Sequence, residues 1–518
     1  MLKNIILAAA ASLTLASSDP TCSGIADPDK VDCGIVGSTQ STCEAKGCCW
    51  SPAAAGSSAP WCFYKKGTSP TCPLAYNSTS APFSDSEIAT MRAYFLKNIN
   101  VDGSGAVVAA PDYNTPGGSY YYHWERDGAL SMGALLHTAS NVDEVRTEMD
   151  AYVGWVSRVQ QEVDPHGQSV LAEPKYMIPN GTVYAGGWCR PQNDGPGLRS
   201  KTLIAYANAL MEEEQLEVSG KKTKSKSHST YTSDDLWALI QIDLDWQAVN
   251  WSANGCDLWE EIRSNDFFWN RYTMRAALTD GAKFATAKGD ATRSTAYTNA
   301  ANEVEAGLAS HFQSGFVQEC DERKKDAAVI CAFNDGYLND GIFGPTSVEV
   351  AGTIKTLNEL FCDSYTINQL DTKNGIPGIL YGRYEGDHYA GGNPWILLSS
   401  ALAELLYRGA TEMVAHANGK VDLKDDGLSL WSEILNLPFN YGESVDSLKM
   451  ASAFAGAGDG VLTRIRSHVS SGDFHLTEQI NRETGATMAA HDLTWSYATT
   501  LKAIHARAQY MDALSLKQ

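Results

Sequence analysis

The chain has 518 residues, 43% of them hydrophobic and 19% charged, a balance that suits a folded globular protein and excludes a disordered one. Its length corresponds to about three or four average domains, or one large domain with small additions. With 40 Lys and Arg against 61 Asp and Glu, the net charge of −21 argues against a nucleic-acid backbone or an anionic membrane as partner.

In chain order, Lys3 precedes an apolar run from Ile5 to Leu15 that ends at Ala16. A basic start, a short apolar stretch and a small-residue exit read as a secretory signal peptide over 1–16. No later stretch of about eighteen uninterrupted apolar residues follows, so the mature protein is expected to be secreted, in the extracellular space or a digestive lumen. The 12 cysteines agree with an oxidising compartment. Sequons at Asn77, Asn180 and Asn250 are expected glycan acceptors there.

Cys22, Cys33, Cys43, Cys48, Cys49 and Cys62 crowd the segment 20–66, which is too small to bury a sufficient core without bridges. Spacing alone does not choose among the possible pairings. The runs Lys30-Val31-Asp32-Cys33-Gly34, Gly47-Cys48-Cys49-Trp50 and Trp61-Cys62-Phe63 resemble a trefoil (P-type) module, with Val36 where that family usually has proline. The resemblance implies the pairings Cys22–Cys49, Cys33–Cys48 and Cys43–Cys62.

A Ser- and Pro-containing stretch over 67–82 reads as a linker. From 83 to 518 the pattern is helical. Ile88, Met91, Phe95 and Ile99 recur at three or four residues after a candidate cap at Ser84 or Ser86. Similar periodicity near 129–138, 143–161, 199–216, 233–250, 258–287, 293–312, 347–361, 395–414, 427–436, 444–469 and 492–512 predicts roughly a dozen helices and few strands. The basic run Lys221, Lys222, Lys224 and Lys226 reads as a solvated loop. Cys320 and Cys331, close together between polar turns, are expected to pair. Cys189 and Cys256 are expected to bridge two loops, leaving Cys72 and Cys362 over.

The sequence holds no HExxH, Walker loop, GxSxG or paired-cysteine zinc pattern, and its 11 histidines show no convincing ligand spacing, so no metal or cofactor is implied. Five loop segments mix aromatics with carboxylates or arginine: Tyr120 to Gly128, Gly187 to Pro196, Cys256 to Glu261, Gly382 to Tyr389 leading to Gly392-Asn393-Pro394-Trp395, and Leu476 to Gln479 with Asp492 to Tyr497 behind it. That mixture suits sugar. Pyranose faces stack on Trp and Tyr, and their hydroxyls take bidentate Asp and Arg. Cleaving a glycosidic bond needs two carboxyl groups, one to protonate the leaving oxygen and one to activate water or attack carbon. Singly, each residue has a plainer reading. Asp257 with Glu260 is a capping-box pattern, Arg126 with Asp127 an ion pair, Trp124, Trp188 and Trp395 core residues, and Glu478 a surface glutamate.

Together, Trp188-Cys189-Arg190-Pro191-Gln192-Asn193-Asp194-Gly195-Pro196, Asp257-Leu258-Trp259-Glu260-Glu261 and Gly392-Asn393-Pro394-Trp395 resemble the glucoamylases of glycoside hydrolase family fifteen, in that family's order and over about 84–510. The resemblance implies a mainly helical (α/α)6 barrel preceded by the trefoil module. It implies an inverting glucan 1,4-α-glucosidase acting on starch, glycogen or maltooligosaccharides. The protein is expected to be a monomer, without a nucleic-acid or membrane partner. By position, Glu260 matches the general acid and Glu478 the general base. Arg126, Asp127 and Arg383 match groups that hold the terminal glucose and close one end of the pocket. Tyr120, Trp124, Trp188 and Trp395 match its aromatic lining, and Asp257 and Glu261 match acidic neighbours that orient substrate and acid. Surroundings that raise the pKa of Glu260 and leave Glu478 ionised are expected, with the two carboxyl groups roughly 6.5–9.5 Å apart.

Three departures from the family pattern stand out: Cys189 replaces a frequent glycine, Glu385-Gly386 alters the usual Arg-Tyr-Pro-Glu-Asp, and His491 replaces a frequent arginine. The chain ends soon after the last helix, so no C-terminal starch-binding domain is expected. The rival readings are a related barrel enzyme preferring α-1,6 linkages or trehalose, a phosphorylase on a similar barrel, and a non-catalytic secreted carbohydrate-binding trefoil protein.

Overall fold

The structure is a computed structural model describing residues 21–517 apart from 31–32, 35–37, 46, 55, 58, 67–70, 79, 219–228, 417–418, 425 and 439–441. The expected signal peptide, Val31, Asp32 and Val36 of the cysteine-rich motif, part of the expected linker and the Lys221 to Lys226 run lie outside the described residues. The chain divides into two compact units between Thr71 and Cys72.

The first unit is built on cysteine. Helix α1 (Gln40–Ala45) precedes a hairpin of β1 (Cys49–Trp50) and β2 (Cys62–Phe63), in which Cys49 faces Phe63 and Trp50 faces Cys62. Cys33, Cys43, Cys48 and Cys62 form its small core, with Trp50 and Tyr64 packed against it. Disulfides join Cys22 to Cys49, Cys33 to Cys48 and Cys43 to Cys62, supplying the constraint that so small a core lacks.

The second unit is helical, and its inner helices are separated along the chain by one or two outer ones. They run α2 (Asp85–Lys97), α3 (Glu125–His137), α4 (Arg146–Val159), α5 (Gly195–Val218), α6 (Ser233–Asn250), α7 (Phe268–Ala287), α8 (Ala291–Leu308), α9 (Ala328–Asp335), α10 (Val348–Ser364), α11 (Thr366–Lys373), α12 (Ile396–Ala415), α13 (Asp426–Ile434), α14 (Ser447–Val469) and α15 (Thr494–Ser515). Helices α3, α5, α7, α9, α12 and α15 each pack on the next, and α15 returns to α3, closing a ring of six. Outside it α2 packs on α15, α4 on α3, α6 on α5, α8 on α7 and α14 on α12, while α10 carries α11 and α13. Helix α12 is buried from Ile396 to Val414 except at a few positions, and the helices also enclose a buried ion cluster in which Arg199 meets Glu125 at 2.7 Å and Asp243 at 2.5 Å. Helix starts follow local chemistry. Ser84 caps α2 in a capping box with Glu87, and Thr232 caps α6 with Asp235, each pair satisfying amides that the first turn leaves open.

Several sequence expectations are corrected. Helical periodicity suggested a helix over 258–287, but α7 starts only at Phe268, because the Asp257 side chain folds the preceding residues into a turn. Helices α9 and α11 have eight residues each, too short to show a period. Part of the expected linker belongs to the barrel: Cys72 is bonded to Cys362, Leu74 is buried, and Gly456 approaches the Tyr76 carbonyl so closely that a Cβ would lie 2.0 Å from it. Cys320 and Cys331 are not paired; both are free and buried. Cys331 lies inside α9 in the main apolar core, whereas Cys320 sits in the preceding turn and donates its N–H to the Arg323 carbonyl. Of the sequons, Asn77 and Asn180 are exposed, while Asn250 is half-buried and its amide donates to the Trp246 carbonyl at 2.8 Å.

Candidate active site

A cavity of about 300 Å³ opens at one end of the barrel. Its walls come from the loops that precede the inner helices and from the first turns of those helices. Arg126 and Asp127 lie in the first turn of α3, Trp395 directly precedes α12, and Leu493 and Trp495 flank the start of α15. Glu260, Glu478, Tyr120, Trp124, Arg126, Asp127, Trp188, Glu261, Arg383 and Trp395 all border this cavity. Asp257, expected with them as a substrate-binding group, does not, because it is buried beneath the loop that carries Glu260.

Asp257 shapes that loop. Its carboxylate accepts the backbone N–H groups of Trp259, Glu261 and Ile262 at 3.2, 2.7 and 2.9 Å, and Arg323 pairs with it at 2.6 Å. Three amides gathered on one side chain make a tight turn, not a helix N-terminus, so the capping-box reading fails. Glu260 takes a left-handed φ of 66° in this turn, a conformation that costs a non-glycine residue about 1–2 kcal/mol. Its Oε1 accepts the Trp124 indole N–H and the Gln192 amide, both at 2.8 Å. Arg126 stands 3.7 Å from the same oxygen, and among the described residues Oε2 takes no protein hydrogen bond.

Glu478 is held differently. It is fully buried, and its N–H donates to the Ala490 carbonyl at 2.8 Å. Its Oε1 accepts the Tyr120 hydroxyl at 2.7 Å and its Oε2 the Gln479 amide at 3.1 Å. Burial pushes Glu478 up to about 7, against the pull of the Tyr120 bond and the Arg383 charge. This opposes the expectation of surroundings that keep it ionised; removing the carboxylate from water outweighs the donors facing it. Burial likewise raises Asp127 to about 6, partly offset by Arg126.

Cationic groups close the rest of the wall. Arg383 is chelated by Asp387 at 2.9 and 2.6 Å and reaches Glu261 at 2.9 Å. Glu261 also accepts Arg323 at 2.6 Å and the Tyr384 hydroxyl, so the altered Tyr384 to Asp387 stretch locks this wall. Arg126 donates to Gln192 at 2.9 Å and Asp194 at 3.2 Å. The indole N–H groups of Trp188 and Trp395 are buried without a protein acceptor among the described residues. Two unpaired donors on a cavity wall suit a ligand rich in oxygen acceptors.

Two loops of the wall are joined covalently by a disulfide between Cys189 and Cys256, whose Cα atoms are 5.9 Å apart. Sequence reasoning gave no role to Tyr389, Trp259, Trp495 or Leu258, which line the cavity, nor to Arg323. Tyr389 meets the Tyr120 hydroxyl at 2.7 Å, and the Trp259 indole donates to Asp326 at 3.0 Å. The aromatics lay in the quoted segments, but Arg323 sits outside all of them in a polar turn that carries no signal.

Residues 91–505 match the family Glycosyl hydrolases family 15, and residues 22–65 match the Trefoil (P-type) domain. The chain is 33% identical over 458 residues to a glucoamylase of Blastobotrys adeninivorans, covering 83% of this chain and 71% of that protein. It is 31% identical over 459 residues to glucoamylase 1 of Rhizopus oryzae, covering 83% and 72%. Among solved structures, the family 15 glucoamylase from Hypocrea jecorina superimposes with a TM-score of 0.70 at 28% identity, over 82% of this chain and 71% of that one.

Proposed function

We propose that this chain, which belongs to glycosyl hydrolases family 15, is a secreted exo-acting glucan 1,4-α-glucosidase that releases β-glucose from the non-reducing ends of starch, glycogen and maltooligosaccharides. The observation that carries the reading is one cavity holding two glutamates in different ways. Glu260 has one oxygen fixed by Trp124 and Gln192 and, among the described residues, the other unpartnered, whereas Glu478 has both oxygens held.

An acid needs its proton on the oxygen that faces the leaving group. Glu260 Oε1 already accepts two N–H groups, so in the acid form the proton sits on Oε2, free to pass to the glycosidic oxygen. Glu478, as the carboxylate, accepts a proton from a water that attacks the anomeric carbon on the opposite face; the C–O bond to the leaving sugar breaks as the new C–O bond forms. Arg126, Asp127 and Arg383 supply donors and acceptors for the hydroxyls of one terminal glucose, and the aromatic wall takes its faces. The five disulfides support an oxidising, exported setting.

The test is proton NMR of maltose turnover, with isomaltose and trehalose alongside. β-Glucose is expected first, and Glu260→Gln and Glu478→Gln are each expected to remove most activity while circular dichroism stays native. α-Glucose appearing first overturns Glu478 as base, and hydrolysis of isomaltose or trehalose with maltose untouched overturns the linkage.

A further inference from the structure

Outside the cavity, His475, His491 and Asp492 aim metal-binding atoms at one another, all within 4.8 Å. His475 Nδ1 is 2.6 Å from Asp492 Oδ1, and His491 Nδ1 is 3.1 Å from Asp492 Oδ2. Each imidazole thus takes one oxygen of the same carboxylate. The group is held from behind. Tyr94 stacks on the His475 ring with centroids 3.9 Å apart, the Tyr497 hydroxyl donates to Asp492 Oδ1, and the backbone N–H of His491 donates to the Asp112 carboxylate. Asp473, accepting the Tyr94 hydroxyl at 3.1 Å, adds a further negative charge nearby. On the outer side the cluster is open, with the His491 side chain 52% exposed.

We propose that His475, His491 and Asp492 bind a divalent transition-metal ion of the zinc class, stapling the segment before Glu478 to the segment after it. Two imidazole nitrogens and one carboxylate oxygen form a donor set that zinc and its neighbours take, whereas calcium and magnesium prefer all-oxygen sites. Binding needs each ring as the neutral tautomer with its proton on Nε2, which frees Nδ1 for the metal. Ligands on a tetrahedral zinc stand roughly 3.3 Å apart given bonds near 2.0–2.1 Å, so the present spacing needs only a small opening, which the exposed His491 ring can make. Water completes the fourth position from the open side.

The staple would sit close to Glu478. Glu478 donates its N–H to the Ala490 carbonyl at 2.8 Å and Leu493 to the Leu476 carbonyl at 2.9 Å, so the ligands flank the ladder that positions Glu478. Arginine at position 491 would pair with Asp492 through its charge and offer no metal ligand.

The test is calorimetric titration of the metal-free mature chain with ZnCl2, with thermal unfolding followed in parallel. One zinc per chain and a raised unfolding temperature are expected. H475Q and H491R are each expected to weaken binding at least tenfold while unfolding normally without metal; H491R, at an exposed position, keeps the test readable if H475Q folds poorly. No saturable binding, or the same affinity in H491R as in the parent, overturns the proposal.

Discussion

Replacing Tyr120 with phenylalanine removes a single oxygen from the pocket wall and tests the role given to Glu478. The Tyr120 hydroxyl donates to Glu478 Oε1 at 2.7 Å and favours the carboxylate, whereas burial pushes Glu478 up to about 7. A hydrogen bond to a charged group contributes about 1.5–3 kcal/mol, and one pKa unit corresponds to about 1.36 kcal/mol. Losing the bond therefore raises Glu478 by about one to two units. A base must be ionised to accept a proton, so a higher pKa leaves less of it competent at a given acid pH. The acid limb of kcat/KM on maltose should move to higher pH by that amount, and the ring that remains keeps the wall apolar. Tyr389→Phe is the comparison: Tyr389 meets the Tyr120 oxygen at 2.7 Å and makes no direct bond to Glu478, so its shift should be smaller. An acid limb that stays in place or moves down in Tyr120→Phe would refute the reasoning, and an equal loss at every pH would assign Tyr120 to substrate binding instead.

Further outcomes follow from the same contacts. With Glu478 raised from 4.5 to about 7 in the fold, its proton stabilises the native state fully below about pH 4.5, and that contribution is lost as pH rises through about 7. It amounts to about 3 kcal/mol, so Glu478→Gln should flatten the fall in stability between those pH values in urea titrations. Trp124→Phe removes one of the two donors at Glu260 Oε1 and should lower kcat about tenfold or more with little change in KM, read from initial rates. Replacing Cys189 and Cys256 together by serine opens a loop of 67 residues; it should cost about 4 kcal/mol and raise KM on maltose, because both loops carry pocket residues. A chain shortened to begin at Thr71 should keep maltose activity. One beginning at Thr79 loses the Cys72–Cys362 bond across 290 residues and should lose several kcal/mol of stability, on the order of 5 by loop entropy, seen as a lower unfolding temperature.

The helical fold was largely legible because several long barrel helices, α4, α10 and α14 among them, bury one apolar face and several carry readable caps, as at Ser84 with Glu87. It was not legible where tertiary contacts outweigh local pattern. Residues 72–78 look like linker by composition, yet Cys72 and Leu74 are drawn into the barrel by a bond to Cys362 and by burial. Cys320 and Cys331 look pairable by spacing, yet α9 sets Cys331 into the core while Cys320 remains in the turn before it. Proximity in sequence says little about thiol geometry once a helix starts between two cysteines.

The site shows the same division at finer scale. Residues whose chemistry is written in their own segment were found: two glutamates, two arginines and the aromatics that border one cavity. What sequence did not show is how they are held. Asp257 and Glu260 make a capping pattern on paper, but the Asp257 carboxylate collects three amides and has Arg323 beside it, and no helix follows. The turn leaves Glu260 at the left-handed φ of 66°. A helical capping residue would lie along its own helix, with its carboxylate spent on backbone amides. The left-handed turn instead delivers the carboxylate to Trp124 and Gln192 through one oxygen and, among the described residues, leaves the other without a protein partner. In the proposed mechanism this turn has a specific consequence: a one-sided set of hydrogen bonds that would place the transferable proton on the other oxygen.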